Sequence, residues 1–280
     1  MKQYVQELEK RNNRQKGEWI KRHLSDKGIP FHVQPFRTLL ARGENIIVDY
    51  PFSKETGSSK RILLTAHYNA WFRTPGANDN ASGVSVLLGY LERLIKDSKS
   101  IPLRIVFFDL EDGWAVYGGS KAYIRKYGVS DIEALYNLEA VGMGDQLLLW
   151  PSASQEWQNP LVHNAKQIGF SITRLKEFRI TFMRFPFEIS IGSDHIPFIK
   201  AGCTRAVAIT TFPEADIRYA DVIMKGKNVG KFVWNNLKFI VFREGDIPFM
   251  LKHYHNKDDR SEFIEQKNLD RVAELLWRIT

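Results

Sequence analysis

The sequence contains a single cysteine, Cys203, and no long apolar segment. One cysteine cannot form an intrachain disulfide, which is consistent with a reducing compartment. No run approaches the roughly 18 apolar residues that a membrane-spanning helix needs. Residues 1–24 are charged throughout and lack the apolar core of a secretion signal. We therefore expect a cytoplasmic location and no membrane partner.

The excess of positive charge is modest and dispersed. The chain has 40 Lys and Arg against 32 Asp and Glu, a net charge of +8. Basic residues are densest at residues 10–22 and 225–231, where polar and apolar residues interrupt them. Zinc-finger spacing and the aromatic signature of an RNA-recognition motif are both absent from the sequence. We expect no nucleic-acid partner and at most a weak preference for acidic substrates; no pattern predicts an oligomeric state.

Short apolar runs alternate with helical patterns along the chain. Four runs rich in Val, Ile, Leu and Phe are typical of strands buried on both faces. They lie at residues 62–67, 103–109, 134–141 and 206–210. Two shorter strands are predicted at residues 38–41 and 45–50. Helices are predicted at residues 2–26, 84–95, 117–127, 161–168 and 269–279.

This alternation predicts an α/β fold with a mostly parallel, mixed central sheet and helices on both faces. No linker or repeat divides residues 1–280. We expect a single domain, with an N-terminal helix within residues 1–30 packed on it.

Six polar side chains fall at the ends of predicted strands or in loops before helices. They are His67, Asp79, Glu111, Asp112, Glu139 and His255. In open α/β sheets, ligands bind beyond the carboxyl ends of the strands, so side chains from these positions could converge.

The chemistry of this set suits a metal site. Catalytic zinc uses imidazole and carboxylate ligands and keeps one position open for water. Two metals about 3.5–4 Å apart can hold both the attacking oxygen and the carbonyl oxygen of a hydrolytic reaction. Such a pair needs several ligands and a free carboxylate that takes the proton of the water. The set supplies these groups.

Each residue also has a purely structural interpretation. His67 could be hydrogen-bonded at a strand end, and Asp79 could cap the helix that follows it. Residues 111–112 could be a solvated pair in a turn, and His255 a surface histidine. Glu139 differs, because a carboxylate in an apolar strand is costly unless it is paired or bound to a metal. The ordered placement of the whole set favours the metal-site interpretation.

Six motifs occur in an order that resembles a known family. They are AHYNA (66–70), PGANDNASG (75–83), FFDLEDGWAVYGGS (107–120), NLEAVG (137–142), SDHIPF (193–198) and YHNKDD (254–259). The chain resembles the zinc exopeptidases that include bacterial leucyl aminopeptidases, glutamate carboxypeptidases and glutaminyl cyclases. The match runs from about residue 60 to the C-terminus, and PGANDNASG is its most specific motif. The resemblance implies the phosphorylase/hydrolase-like fold of that family and a zinc metallopeptidase that acts on peptide substrates.

The resemblance also implies a role for each candidate. Asp79 would bridge two zinc ions, His67 and Glu139 would complete the first site, and Asp112 and His255 the second. Glu111 would be the general base that acts on the water between the metals.

Three further residues receive supporting roles from the resemblance. Tyr254 could donate a hydrogen bond to the oxyanion, or it could only contribute to packing. Asp194 and His195 resemble the SDH turn of the family, near its substrate pocket. That position implies a supporting or substrate-contacting role for both residues.

Three positions depart from the usual pattern of the family. Asn69 stands where an aspartate normally orients the first histidine; such partners commonly affect metal affinity by roughly 10–100-fold. Asp112 replaces a glutamate, and Glu139 replaces an aspartate. All three groups can still bind or support a metal. Cobalt or manganese could occupy the sites instead of zinc, because selectivity depends on geometry and availability.

Three functions follow from these observations. The first is an aminopeptidase, in which Glu111 moves the proton during hydrolysis. The second is a glutaminyl-cyclase-like acyltransferase with a single zinc held by Asp79, Asp112 and His255. The third is a non-catalytic binding module on a peptidase scaffold, although such a module would not need Glu111. For the first function, aromatic residues in predicted loops could line an apolar pocket or could pack in the core: Trp71, Phe178, Phe182, Phe185 and Phe187.

Overall fold

The central sheet has eight strands and is mixed. The computed structural model describes residues 1–51, 60–112, 116–150, 152–154, 156–174, 179–181, 188–190, 192–216 and 253–280. Within them the strands are β1 (His32–Arg37), β2 (Arg42–Tyr50), β3 (Arg61–His67), β4 (Leu103–Phe108), β5 (Ile132–Leu138), β6 (Gln146–Leu149), β7 (Ser171–Arg174), β8 (Arg179–Thr181), β9 (Glu188–Ser190) and β10 (Ala206–Phe212). The order in the sheet is β1-β2-β4-β3-β5-β10-β6-β7, and β8 and β9 form a separate antiparallel pair.

Four neighbouring strands at the centre of the sheet are parallel. Strand β3 pairs in parallel with β4 on one side and with β5 on the other, and β5 pairs in parallel with β10. The β6–β7 pair is also parallel, whereas β1–β2, β2–β4 and β10–β6 are antiparallel. The carboxyl ends of β4, β3 and β5 therefore meet at one edge of the sheet.

Helices cover both faces of the sheet. They are α1 (Lys2–Leu8), α2 (Asn13–Asp26), α3 (Gly83–Lys96), α4 (Gly118–Tyr127), α5 (Asn159–Gln167), α6 (His195–Lys200) and α7 (Gln266–Ile279). One hydrophobic core joins α1, α2, α3, α5 and α7 to one face, and a smaller core joins α4 and α6 to the other. The alternation of β3 illustrates this, because Leu64 belongs to the first core and Leu63 to the second. The predicted α/β architecture is confirmed.

Two predicted elements near the N-terminus were wrong. The N-terminal helix is not continuous over residues 2–26, because Asn12 begins a new helix. Its Oδ1 accepts the Gln15 N–H over 3.0 Å, and the Gln15 side chain accepts the Asn12 N–H over 3.1 Å. This reciprocal cap satisfies N–H groups at the start of α2. Residues 38–41 form a turn rather than a strand, since the Thr38 hydroxyl accepts the N–H groups of Leu40 and Ala41.

Strand β5 is shorter than predicted, and this moves one candidate. The strand ends at Leu138, so Glu139 is the first residue beyond it. Within the described parts of the chain, no helix is long and apolar enough to cross a membrane.

Candidate metal centre

Three adjacent parallel strands deliver four of the candidate side chains. His67 is the last residue of β3, the strand that lies between β4 and β5. Glu111 and Asp112 follow β4, and Glu139 follows β5. Because these strands run in the same direction, their following residues meet above the edge of the sheet. Asp79 and His255 enter from loops.

The ring of His67 is oriented by the chain that follows it. Its Nδ1 atom lies 2.9 Å from the carbonyl oxygen of Asn69. A carbonyl can only accept, so Nδ1 carries the proton and Nε2 is left as the ligand atom. Nε2 lies 3.1 Å from Oδ1 of Asp79 and 3.3 Å from Oε1 of Glu139. His67 is fully buried, and its free nitrogen points at two carboxylates.

Asp79 lies between the two histidines. It lies in the turn Ala77–Ser82, just before α3, where Asp79 and Asn80 have non-helical backbone angles. While Oδ1 faces His67, Oδ2 lies 3.2 Å from Nε2 of His255. Both oxygens are buried, and each is in contact with an imidazole nitrogen. The carboxylate therefore does not cap α3, and each of its oxygens faces a different imidazole.

The turn Ala77–Ser82 is held in place by a second aspartate, Asp259. One oxygen of Asp259 accepts the N–H of Asn78 over 2.7 Å, and the other accepts the N–H of Asp79 over 3.0 Å. Asp259 is buried. These two hydrogen bonds fix the backbone of Asp79, and its side chain remains available to the metal-ligand cluster.

The second histidine pairs with the carboxylate that follows β4. Nε2 of His255 lies 3.0 Å from Oδ1 of Asp112. The other oxygen of Asp112 is buried, and no described residue hydrogen-bonds to it. The imidazole is also stacked on the indole of Trp71, with ring centroids 4.8 Å apart and an interplanar angle of 10°.

Three groups of donor atoms are close enough to hold a metal ion within the described residues. They are His67–Asp79–Glu139, Asp79–Asp112–His255 and His67–Glu111–Asp112, with donors within 4.8 Å of one another. The first two groups share Asp79. All six candidates thus come together, and their arrangement matches one bridging carboxylate with two ligands on each side.

Burial raises the pKa values of the carboxylates in the site, and nearby charges either add to this effect or oppose it. Burial, together with the neighbouring charges of Asp112, Glu139 and Asp194, raises the pKa of Glu111 well above its ordinary value, although His67 opposes this. Burial likewise raises the pKa of Asp194 to about 7. Burial would also raise the pKa of Asp79, but close contact with His255 and His67 lowers it below its ordinary value.

The histidines respond in the opposite direction. Burial lowers the pKa of His255, but the contacts with Asp112 and Asp79 outweigh it and raise the value to about 10. Burial also opposes protonation of His67, yet Glu139 and Asp79 raise its pKa well above the ordinary value. Both imidazoles therefore hold a proton tightly in the metal-free protein. A field that stabilises a proton at Nε2 would also stabilise a cation there.

A family model described as Peptidase family M28 matches residues 45–280. The chain belongs to peptidase family M28. The match covers the sheet from Asn45 within β2 onward and every candidate residue of the metal centre, whereas α1, α2 and β1 precede it.

Three relatives place this M28 chain among known proteins. It is 30% identical over 162 residues to Aminopeptidase YwaD of Bacillus subtilis. The aligned region covers 55% of the chain and 33% of YwaD. The chain thus spans about a third of that relative. The structure of BSAP, a zinc aminopeptidase from Bacillus subtilis, is 22% identical with a TM-score of 0.58, covering 85% of the chain and 49% of BSAP.

The third relative has a different name. A glutaminyl cyclase of Bacteroides thetaiotaomicron is 18% identical with a TM-score of 0.71, covering 99% of the chain and 95% of the cyclase. At this level of identity both structural likenesses describe the fold alone. The two names, aminopeptidase and glutaminyl cyclase, correspond to the two enzymatic functions between which the geometry of the metal centre must decide.

Asn69 supports the M28 site by a different route from the expected one. Its backbone carbonyl, not its side chain, accepts the proton of His67. The side chain instead accepts the N–H of Glu111 over 3.0 Å through Oδ1. Asn69 therefore links the end of β3 to the segment that carries Glu111.

The remaining predicted residues lie around the cluster. The Tyr254 ring stacks on His255, with centroids 3.9 Å apart. Burial and the charges of Asp79 and Glu139 raise the pKa of Tyr254 well above its ordinary value, so its hydroxyl remains a donor. Asp194 and His195 are fully buried at the start of α6. Neither belongs to the three donor groups found in the described residues. Phe178, Phe182, Phe185 and Phe187 lie outside the described residues.

Sequence reasoning missed a buried chain of hydrogen bonds behind Glu139. Thr65 donates to Asn137 over 2.7 Å, Asn137 donates to Ser193 over 2.9 Å, and Ser193 donates to Glu139 over 2.6 Å. The chain fixes one oxygen of Glu139 and leaves the other beside His67. Asn137 and Ser193 lie in motifs that the resemblance had singled out, but neither motif indicated that their side chains are linked to each other and to Glu139.

Sequence reasoning also missed a buried lysine in α2, Lys16. Nζ of Lys16 donates to the carbonyl of Pro75 over 2.9 Å. Burial lowers the pKa of Lys16 to about 8, while the charges of Asp259 and Asp79 oppose this. No sequence motif predicts this contact, because a lysine in an amphipathic helix is normally expected at the surface.

Proposed function

We propose that this M28 chain is a metal-dependent aminopeptidase, which hydrolyses the peptide bond after a free amino-terminal residue. The observation that carries the proposal is the position of Asp79, whose two oxygens face His67 and His255 separately. A carboxylate in this position is suited to bridge two cations. A single-cation site would not require His67 to point at Asp79 and Glu139.

The donor set fits divalent metal ions. A tetrahedral zinc with bonds of about 2.0–2.1 Å spaces its donor atoms about 3.3 Å apart. The contacts of Asp79 with the two histidines are 3.1 and 3.2 Å, and those of Glu139 with His67 and of Asp112 with His255 are 3.3 and 3.0 Å. The buried Oδ2 of Asp112 has no hydrogen-bond partner among the described residues, and a bound cation would supply one. We propose two divalent ions, with zinc favoured by the zinc aminopeptidase BSAP.

The proposed ligand sets follow from these contacts. His67, Asp79 and Glu139 would hold one ion, and Asp79, Asp112 and His255 the other. Two bound cations would polarise the scissile carbonyl and lower the pKa of the attacking water.

Glu111 is the proposed general base. It is buried beside both donor groups, and hydrogen bonding of its N–H to Asn69 fixes its backbone. Burial and the neighbouring carboxylates raise its pKa above the ordinary value in the metal-free protein, and a general base at neutral pH works best with a pKa near the operating pH. The carboxylate would take a proton from the attacking water and deliver it to the leaving amine. The Tyr254 hydroxyl would donate to the oxyanion that develops on the carbonyl oxygen.

The charge of the site favours a substrate with a free amine. Five buried or half-buried carboxylates face the cluster: Asp79, Glu111, Asp112, Glu139 and Asp194. Two divalent cations carry four positive charges, so one negative charge is left in excess when all five carboxylates are ionised and the histidines are neutral. An amino-terminal ammonium would neutralise it.

Hydrolysis of aminoacyl chromogenic substrates tests the proposal directly. We expect turnover by the wild type, and a loss of roughly 100- to 10,000-fold in Glu111→Gln with an unchanged metal content. N-acetylated versions of the same substrates should not be cleaved. Equal rates for Glu111→Gln and wild type would contradict the proposal, and so would equal rates for free and acetylated substrates.

The same preparation separates the alternatives. Cyclisation of a peptide with amino-terminal glutamine, with one metal per chain, would favour the glutaminyl-cyclase-like acyltransferase. Peptide binding without turnover would favour a binding module.

A further inference from the structure

Two aromatic side chains stand exposed beside the metal centre. Trp71 and Phe72 follow β3 by four and five residues. Trp71 is 37% exposed and Phe72 is 63% exposed, which is unusual for large apolar side chains in a folded protein. Exposed apolar surface next to a cluster of polar groups is typical of a ligand-binding site.

Trp71 contacts the metal centre itself. Its indole stacks nearly parallel on the imidazole of His255, as described above. Phe72 then meets the indole edge to face, with centroids 5.7 Å apart and an interplanar angle of 85°. The two rings form a continuous apolar surface that begins at a candidate metal ligand and leads toward solvent.

The backbone on both sides of Trp71 is fixed. The side chain of Asn13 in α2 donates to the carbonyl of Ala70 over 3.0 Å and accepts its N–H over 2.9 Å. On the other side, the N–H and hydroxyl of Thr74 both donate to the Trp71 carbonyl, over 3.0 and 2.8 Å. The aromatic surface is therefore preformed, which lowers the entropy cost of binding a substrate.

We propose that Trp71 and Phe72 form an apolar substrate subsite, which receives a large aliphatic or aromatic side chain next to the scissile bond. The proposal rests on the aminopeptidase function proposed above. In that function the scissile carbonyl lies at the ions, one of which His255 holds. A side chain flanking this carbonyl would pass over the indole that stacks on His255, and Phe72 would extend the contact.

The subsite predicts a preference among substrates. Apolar contact of a large side chain with the two rings is lost for alanine or glycine, and even one missing methylene in an apolar pocket changes kcat/KM by about 10- to 200-fold. Charged side chains gain nothing from these rings. The preferred substrates are thus peptides with leucine, methionine or phenylalanine beside the scissile bond.

Substrate panels that vary one residue at a time test the subsite. One panel is leucyl, phenylalanyl, alanyl and lysyl p-nitroanilide, and the second is a set of Ala-X dipeptides. In Phe72→Ala we expect the ratio of kcat/KM for the large apolar over the alanyl substrate to fall about tenfold. The fall should appear mainly in KM and in only one of the two panels, which identifies the residue that occupies the subsite.

Matched variants separate recognition from indirect effects. Ile95→Ala removes an apolar side chain that is 38% exposed at the far end of α3, and it should leave the ratio unchanged. Trp71→Ala should lose selectivity as well, whereas Trp71→Phe should restore most of it by keeping a ring on His255. The metal content of each variant shows whether His255 has been disturbed.

Two results would overturn the subsite. One is a uniform fall in rate for all substrates in Phe72→Ala, and the other is an unchanged ratio in both Phe72→Ala and Trp71→Ala. If the wild type cleaves no substrate, the proposed function fails, and calorimetry with Phe-Gly, Gly-Phe and Gly-Gly decides the subsite independently. Tighter binding of Phe-Gly or Gly-Phe that Phe72→Ala abolishes would support it; equal binding of all three dipeptides would contradict it.

Discussion

The hydroxyl of Ser193 donates a hydrogen bond of 2.6 Å to Oε2 of Glu139. Ser193 itself accepts from Asn137, which accepts from Thr65, so the four side chains form one buried series. The hydrogen bonds all donate toward Glu139, because the carboxylate at the end of the series can only accept. The series presents the other oxygen of Glu139 to His67.

Ser193→Ala should weaken metal binding at the group formed by His67, Asp79 and Glu139. Loss of a partner that orients a ligand commonly costs 10- to 100-fold in metal affinity. We expect a loss of about that size for one of the two ions, measured by competition with a chelator. Ser85→Ala is the matched control, because Ser85 is equally buried but donates to the helix carbonyl of Ala81. Equal metal affinity in the two variants would contradict a positioning role for Ser193.

Asp259→Asn should disturb Asp79 without touching its side chain. The substitution places an amide N–H₂ where a carboxylate oxygen now accepts the N–H of Asn78 or Asp79. A buried donor that faces another donor costs about 1–3 kcal/mol of unfolding free energy. We expect that loss in denaturant unfolding, together with weaker binding of both ions. Asp258→Asn, at the exposed neighbouring position, should change neither, and similar effects for the two variants would refute this role.

Asn69→Asp would restore the residue that the family usually carries. Its side chain contacts the N–H of Glu111, so the new charge would lie beside the proposed base. A nearby negative charge raises the pKa of a carboxylic acid. We therefore expect the acidic limb of the kcat/KM profile to move upward by about half a pH unit to one unit. If the acidic limb does not move, Glu111 is not the group whose ionisation produces that limb.

Metal uptake should release protons from the histidines. The pKa of His255 in the metal-free protein is raised from 6.5 to about 10, so at pH 8 the imidazole is protonated. It must lose this proton before Nε2 can bind a metal. Calorimetry at pH 8 in buffers of different ionisation enthalpy should show about one proton fewer released by His255→Gln than by the wild type. Equal proton release would contradict the assignment.

The same shift determines how the stability of the metal-free protein changes with pH. The folded pKa of His255 lies above the unfolded value, so protonation stabilises the fold fully below about pH 6.5. The contribution falls as pH rises and is lost above about pH 10. The Tm of the metal-free protein should therefore fall between pH 7 and 10, and should fall less in His255→Gln. A Tm that rises over this range would be inconsistent with the contacts to Asp112 and Asp79.

The sequence predicted the strands that position the centre better than the contacts that complete it. The runs that end at His67 and precede Glu111 are short and continuously apolar, which is typical of buried parallel strands. Asn12 and Thr38 act through local side-chain hydrogen bonds that override the hydrophobic pattern. Such bonds explain why one predicted helix is two and one predicted strand is a turn.

The missed parts of the site depend on pairs that are distant along the chain. Ser193 is 54 residues from Glu139 and Asp259 is 181 from Asn78, and neither spacing leaves a periodic signal. Asn69 was found through the resemblance, but the choice between its carbonyl and its side chain depends on backbone direction after β3. Lys16 and Trp71 likewise became informative only when their partners Pro75 and His255 were located.

The central claim is that Asp79 bridges two metal ions, and anomalous scattering from crystals of the metal-loaded protein tests it most directly. We predict two peaks in the anomalous difference map, each within about 2.0–2.2 Å of one oxygen of Asp79. One peak should contact His67 and Glu139, and the other should contact Asp112 and His255. A single peak that contacts Asp79, Asp112 and His255, with His67 left without metal, would contradict the two-metal account and favour a cyclase-like site.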